Sequence, residues 1–377
     1  MRVFIIAGEL SGDKLGGALM AGLKQIAPEV RFDGVGGPLM QAQGLTSRFD
    51  MTELSVMGLT EILPKYLDLR ARLHQMIDAV IETQPDVLLT IDSPDFCLRV
   101  AKGVKAKTNI KTIHYVAPTV WAWRPGRAAK MAKTWSMCLA LFPFEPPYME
   151  AAGMTCDFVG HPVVQEPVAT DAEATAFRAS HDVSGPLILA LPGSRKGEVA
   201  RLSDRFGAAL GQIAQQHRDA TFVVPCAEPV MAQVRAATQS WPVTPVLIPG
   251  HASASKRAAF KAADVALAAS GTVSLELAAS ATPMVIAYDM APLSRMIIGR
   301  MLRVDTVTLV NLVSDTRVVP EFIGRDCVPE AIANGVIDVL AAPDSQLEAM
   351  DMTMDRLGRA AEEPGLRAAK SVLSALK

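Results

Sequence analysis

Short, almost continuously apolar runs punctuate this chain, each bounded by Gly, Pro or Asp and separated by stretches of helical spacing. Val3–Ala7, Val87–Ile91 ("VLLTI"), Thr112–Val116 ("TIHYV") and Met137–Leu141 ("MCLAL") form one series. After residue 180 a second series opens with Leu187–Leu191 ("LILAL"). It continues through Thr221–Pro225 ("TFVVP"), Val246–Ile248, Val265–Ala268 and Met284–Ala287 ("MVIA"). A strand that is apolar at every position is buried on both faces, and such strands alternating with helices make parallel sheets covered on both sides. Two series therefore predict an α/β protein with two doubly wound, Rossmann-like domains facing a cleft. The length of 377 residues is too great for one ordinary core and suits two. The Pro-rich, acidic stretch "GHPVVQEPVATDAEA" has no strand pattern and places the boundary near residue 165.

Several function classes drop out early. A net charge of -2 leaves no basic excess for a nucleic acid. The five cysteines are scattered without a CxxC pair, which argues against a zinc site or disulfide framework and fits free thiols in a reducing cytoplasm. The opening "MRVFIIAGELSGD" reads as a first strand rather than a signal peptide, and no stretch approaches the ~18 apolar residues of a membrane span.

Ligands of doubly wound sheets bind beyond the carboxyl ends of the strands, so the turns there matter most. "AGELSGDKLGG" makes a tight turn into a helix through Gly8, Ser11, Gly12 and Gly16, with Ser11 or Asp13 as the N-cap. Neither this loop nor "GVGGPLM" is a GxGxxG fingerprint, and no GxxxxGK[ST] loop occurs. In "TIDSPDF", Asp92 directly follows a buried strand; it can serve as a general base for a hydroxyl or cap the next helix. "YVAPTVWAWRPGR" brings Trp121, Trp123, Arg124 and Arg127, rings that can stack on a sugar or acyl chain or fill the core. His161 of "FVGHP" can line the cleft or be structural. The amphipathic stretch 51–77, with Met57, Leu59, Leu63, Arg70 and Arg72, is either a core-facing helix or a surface for lipid.

In the second half, "LILALPGSRKGEV" is strand, loop and helix. Its amides, the helix N-terminus and Arg195 suit a diphosphate, with Glu198 favouring the helix dipole or capping the turn. "LAASGTVSLELAA" repeats the logic: Ser270, Gly271 and Thr272 offer amides and hydroxyls to phosphate, and Glu276 can take two hydrogen bonds from a ribose diol. Asn311, in the apolar run "VTLVNLV", is either a structural pin or a ligand contact.

Taken in order, these motifs resemble the bacterial lipid-A-disaccharide synthase family, glycosyltransferases of GT-B architecture. "AGELSGDKLGG", "GVGGPLM", "IDSPDF", "IHYVAPTVWAWR", "LFPFEPPY", "FVGHP", "LPGSRKGEV", "ASGTVSLE", "PMVIAY", "NLV" and "VPE" carry the likeness across about residues 3–321. The resemblance implies an acceptor domain over 1–165, a nucleotide-sugar domain over 166–345, and a helical segment, 346–377, free to pack back on the first. It implies inverting transfer of 2,3-diacylglucosamine from UDP-2,3-diacylglucosamine to the 6-hydroxyl of 2,3-diacylglucosamine 1-phosphate (lipid X), giving a β-1,6-linked disaccharide phosphate and UDP. The family's essential acid falls on Asp92 and its essential arginine on Arg195. Gly193, Ser194, Ser270, Gly271, Thr272, Glu276 and Asn311 are then expected on the UDP-sugar. Ser11, Gly12, Trp123, Arg124 and His161 are expected on the acceptor side. Arg124, Arg127 and Arg303 are candidates for the acceptor phosphate. No metal or cofactor is implied; the expected partners are the two lipid substrates, the cytoplasmic face of the inner membrane, and, compatibly, a second copy of the chain. Departures are Cys97 where the family usually has Asn, Asp289 where a base is common, and "VAPT" in place of a serine-bearing form.

Three rivals remain: a nucleotide-sugar isomerase on the same plan, a nucleotide sensor without turnover, and an NAD-dependent oxidoreductase, the last disfavoured by the missing GxGxxG.

Overall fold

The computed structural model describes residues 1–54, 59–122, 126–290 and 304–377, with side chains in the helix that opens at 59 described from residue 66 onward. Met57, Trp123, Arg124, Arg303 and the side chains of Leu59 and Leu63 therefore lie outside the described residues. The chain divides into two compact units: Met1–Pro162 with Ala360–Lys377, and Val163–Arg359.

The first unit holds strands β1 (Arg2–Ala7), β2 (Arg31–Val35), β3 (Val87–Ile91), β4 (Lys111–Tyr115), β5 (Met137–Ala140) and β6 (Thr155–Phe158). They form one parallel sheet in the order β2-β1-β3-β4-β5-β6. The second holds β7 (Leu187–Leu191), β8 (Thr221–Pro225), β9 (Val246–Ile248), β10 (Val265–Ala268), β11 (Met284–Tyr288) and β12 (Glu321–Ile323). Its order is β12-β11-β10-β7-β8-β9, again all parallel. Renumbered from its own first strand, the second sheet has the dinucleotide-fold order 3-2-1-4-5-6; the first follows the flavodoxin-like order 2-1-3-4-5 with one strand added.

Every residue of β3 and β7 is buried, as strands covered on both faces require. Three strands, β2, β6 and β12, carry no continuous apolar run, and all three are sheet edges. The order reverses between β1 and β3 in the first sheet and between β7 and β10 in the second. At such reversals the flanking crossovers wind onto opposite faces and leave a crevice at the carboxyl ends.

Helix α1 (Leu10–Ile26) corrects one expectation. Its N-cap is Glu9, without a side-chain cap bond. Asp13 sits inside the helix, buried, and its carboxylate accepts the N–H groups of Gly37, Leu39 and Met40 at 2.9, 3.0 and 3.0 Å. It thus caps α2 (Pro38–Ala42) rather than its own helix. A Cβ at Gly37 would lie 2.6 Å from the Asp13 carboxylate, which accounts for the glycine in "GVGGPLM" without a ligand. Two further helices of this unit matter below: α3 (Leu59–Thr83) and α4 (Pro94–Lys105). No helix among the described residues is long and apolar enough to cross a membrane.

The C-terminal residues split between the units. Helix Asp344–Arg356 belongs to the second, and helix Pro364–Leu376 packs on α1 in the first. Arg367 Nη2 donates to the Phe158 carbonyl at 2.8 Å, and Ser371 Oγ to Asp157 Oδ2 at 2.7 Å. Gly22 of α1 lets the two helices approach: a Cβ there would lie 2.8 Å from the Gly365 carbonyl oxygen. Gly22→Val should therefore destabilise the protein by about 1–3 kcal/mol, read by denaturant unfolding, because rigid backbone must move to admit the side chain.

Candidate functional site

In the first unit Ser11, Gly12 and Asp92 stand together at the β1/β3 reversal. Asp92 leaves β3 with φ 54°, Ser93 follows at φ 42°, and Val116, at the end of β4, stands at φ 82°. Left-handed backbone costs a non-glycine residue on the order of 1–3 kcal/mol, and for a β-branched valine it is an outlier. Three such residues at the ends of two paired strands mark this edge as held by its surroundings. The Asp92 N–H donates to the Tyr115 carbonyl at 3.1 Å. Its carboxylate is half-buried and takes two bonds: Ser11 Oγ donates to Oδ2 at 3.0 Å, and the Ser93 N–H to Oδ1 at 3.0 Å. Gly8 permits this junction, since a Cβ there would lie 2.6 Å from Ser93 Oγ.

The neighbouring residues divide by role. Gly12 is buried, and a Cβ on it would contact Ala7 at 3.3 Å, so it serves helix–strand packing. Cys97 is buried, and burial together with the Asp92 charge pushes its thiol well up, which leaves it inert as a nucleophile. Trp121 is buried edge-on against Phe144 at 5.1 Å, a core role. Arg127 bonds Asp95 at 2.7 Å and is thereby engaged. His161 is buried and stacked on Phe142 at 5.3 Å.

Burial, helped by the charge of Lys14, lowers the His161 pKa to about 4. It is neutral near pH 7 and supplies no cation there. An unfolded histidine titrates near 6.5, so the unfolded chain binds the extra proton between pH 6.5 and about 4. The stability that neutral His161 contributes is present above that window and lost as pH falls through it. His161→Gln should therefore flatten acid destabilisation between pH 6.5 and 4 by up to roughly 3 kcal/mol in pH-dependent urea unfolding.

In the second unit the turns after β7 and β10 flank the other reversal. Gly193, Ser194, Arg195, Ser270, Gly271, Thr272 and Glu276 all line one cavity of about 450 Å³. The structure thus brings together every residue expected on the UDP-sugar except Asn311. Asn311 is buried with its side chain consumed locally: Nδ2 donates to Val319 O at 3.0 Å and Thr306 Oγ1 at 3.2 Å, and Oδ1 accepts the Val319 N–H at 3.0 Å. Asn311 does not line that cavity, and both of its Nδ2 hydrogens and one Oδ1 lone pair are spent within the chain, which favours the structural pin over the ligand contact.

At the Pro192–Arg195 turn Glu198 takes the capping role. Glu198, buried in the first turn of helix Lys196–Gln216, reaches back and accepts the Ser194 and Arg195 N–H groups at 3.1 and 3.3 Å. The same carboxylate takes Arg195 Nη1 at 3.2 Å. The amides expected to meet a diphosphate are thus held by the chain's own anion, while most of the Arg195 side chain stays exposed. Gly193, at φ 117°, makes room for Glu198; a Cβ would lie 2.6 Å from its carboxylate. In the second turn, Glu276 is ion-paired with Lys256 at 2.5 Å. Lys256, Glu228 and Cys226 line the cavity and went unread in the sequence. The available signal for Lys256 was its helix, Ser253–Ala262, which follows β9 and so starts at the same sheet edge. Asp289, which departs from the family's usual base, is buried against Arg205 at 2.7 Å.

The family model for lipid-A-disaccharide synthetase (LpxB) matches residues 3–375. A lipid-A-disaccharide synthase of Ruegeria pomeroyi is 59% identical over 383 residues, covering 100% of this chain and 96% of that protein. One of Rhodospirillum centenum is 46% identical, covering 100% and 95%. Among solved structures, a UDP-GlcNAc 2-epimerase from Neisseria meningitidis bound to UDP-GlcNAc aligns with TM-score 0.63 at 12% identity, covering 100% of this chain and 99% of that one. The MurG of Acinetobacter baumannii aligns at 0.54 and 13%, covering 100% and 99%. At such identities these two speak for the shared fold alone. Matched over nearly its whole length by the family model and by full-length synthases, the chain belongs to the lipid-A-disaccharide synthase family of glycosyltransferases.

Proposed function

We propose that this chain closes the β-1,6 bond of the lipid A disaccharide with Asp92 as the base and Arg195 as the clamp on the departing UDP. The donor, UDP-2,3-diacylglucosamine, carries an α bond to UDP and the product is β, so one in-line displacement inverts the centre. Asp92 takes the proton of the acceptor 6-hydroxyl as its oxygen attacks; the electron pair of the anomeric bond leaves with UDP. Arg195 has N–H donors beyond the one on Glu198 and meets the charge growing on the diphosphate, with the turn Ser270–Thr272 adding amides and hydroxyls. Glu276 is assigned to the ribose.

The observation that carries this reading is the Asp92 turn. Its carboxylate stands at a topological switch point, on strained backbone, bonded by Ser11 and the Ser93 amide and by no cation among the described residues. A carboxylate bonded by one hydroxyl and one amide has acceptor capacity left for the proton of an incoming hydroxyl. With donor and acceptor supplied, Asp92→Asn should cut turnover by roughly 10²–10⁴-fold while UDP still binds. Arg195→Ala should slow turnover by roughly 10²–10³-fold and weaken UDP as well. Near-normal turnover by Asp92→Asn would transfer the base role elsewhere, and sugar isomerised without acceptor would favour the isomerase.

Both substrates carry acyl chains, which supports peripheral docking on the cytoplasmic face of the inner membrane through the 51–77 segment. Leu67 and Tyr66, adjacent on α3, are 73% and 50% exposed and offer apolar surface there. Arg72 does not take part: it is paired with Glu53 at 2.8 Å and stacked on Phe49 at 4.5 Å. Leu67→Asp should reduce flotation with anionic liposomes severalfold, and unchanged flotation would remove this surface from consideration.

A further inference from the structure

A second cavity of about 450 Å³ lies wholly within the first unit, against the Asp92 turn. Ser93, whose N–H bonds the Asp92 carboxylate, is part of its lining. Two kinds of surface meet in it. Leu54, Leu69, Leu73 and Phe96 are apolar; Arg70 and Arg99 are cationic. Ion pairs nearby engage Arg72 with Glu53 and Arg127 with Asp95, whereas Arg70 and Arg99 are exposed and unpaired among the described residues. The lining acid Asp95 is thus already countered, and Glu9 is the other acid present. Pro94, Asp95 and Phe96 are the first turn of the 12-residue α4, whose N-terminal end adds partial positive charge.

Unpaired guanidinium groups beside an apolar wall suit one ligand class: an anion joined to a hydrocarbon chain. A free phosphate would leave the leucines unused, and an uncharged lipid would leave the arginines unused. We propose that this cavity is the acceptor subsite, with the sugar phosphate against Arg70, Arg99 and the start of α4, and one acyl chain along Leu54, Leu69, Leu73 and Phe96. Its volume sits low in the ~300–1,000 Å³ range of small-molecule pockets, which suits one chain rather than two. The assignment rests on the reading of Asp92 as the base for the acceptor hydroxyl, since Ser93, which lines the cavity, donates its N–H to that carboxylate.

Steady-state kinetics with the UDP-sugar donor test it, using three acceptors: the diacylglucosamine 1-phosphate, its dephosphorylated analogue and a short-chain form. The native chain should prefer the phosphorylated acceptor by about tenfold or more in kcat/KM. Combined Arg70→Ala and Arg99→Ala, both exposed positions, should abolish that preference by raising acceptor KM, with donor KM unchanged. Leu69→Ser should raise KM for the long-chain acceptor and not for the short-chain one. Retained phosphate preference in the double variant, or equal loss for both chain lengths in Leu69→Ser, overturns the subsite while the synthase reading stands. A rise in donor KM instead assigns the cavity to the donor and overturns it too. Absence of disaccharide from the native chain would bring down the functional reading, and this inference with it.

Discussion

A parallel strand buried on both faces has no place for chemistry along its length; polar groups can emerge only where the strand ends. This constraint organises each unit. Where the strand order reverses, two adjacent turns lead their helices to opposite faces, and the space between them stays unfilled. The Ser11 and Asp92 turns flank one reversal, and the Arg195 and Ser270–Thr272 turns flank the other. The candidate groups stand there because packing elsewhere leaves no room for a half-exposed polar side chain.

Buried carboxylates hold these edges in shape. Asp13 gathers three amides at the start of α2, and Glu198 two at the Arg195 turn. Glu145 accepts the N–H groups of Leu141 and Phe142 at 3.1 and 3.0 Å, although burial pushes its pKa up to about 8. Each answers backbone donors that a helix start or tight turn would otherwise leave unmet in the interior. Asp92 is different: it is half-buried and takes only one hydroxyl and one amide, so acceptor capacity is left over.

The same distinction separates the candidates from one another. Arg195 and the residues of its companion turn line a shared cavity, whereas Asn311 spends its amide on Val319 and Thr306. Both readings of Asn311 were open from its apolar surroundings, and only its partners separate them. Lys256 lies far from either glycine-bearing turn in sequence, and its arrival beside Glu276 depends on where β9 and its following helix are laid down.

Local chemistry alone determined the central strands, such as β3 and β7, because burial on both faces writes itself as an unbroken apolar run. It put the small-residue turns after them, and so Asp92 and Arg195, at strand ends, while the roles given to those two came from the likeness to the family. The edge strands β2, β6 and β12 were silent, since an edge such as Arg31–Val35 is covered only in part and keeps charged residues. Only the tertiary structure decided that Asp13 caps α2, that Lys256 pairs with Glu276, and that Arg70 and Arg99 share a cavity with leucines. Those outcomes rest on which donors and charges meet across the fold, and pairing between distant segments leaves no periodic mark in a single chain.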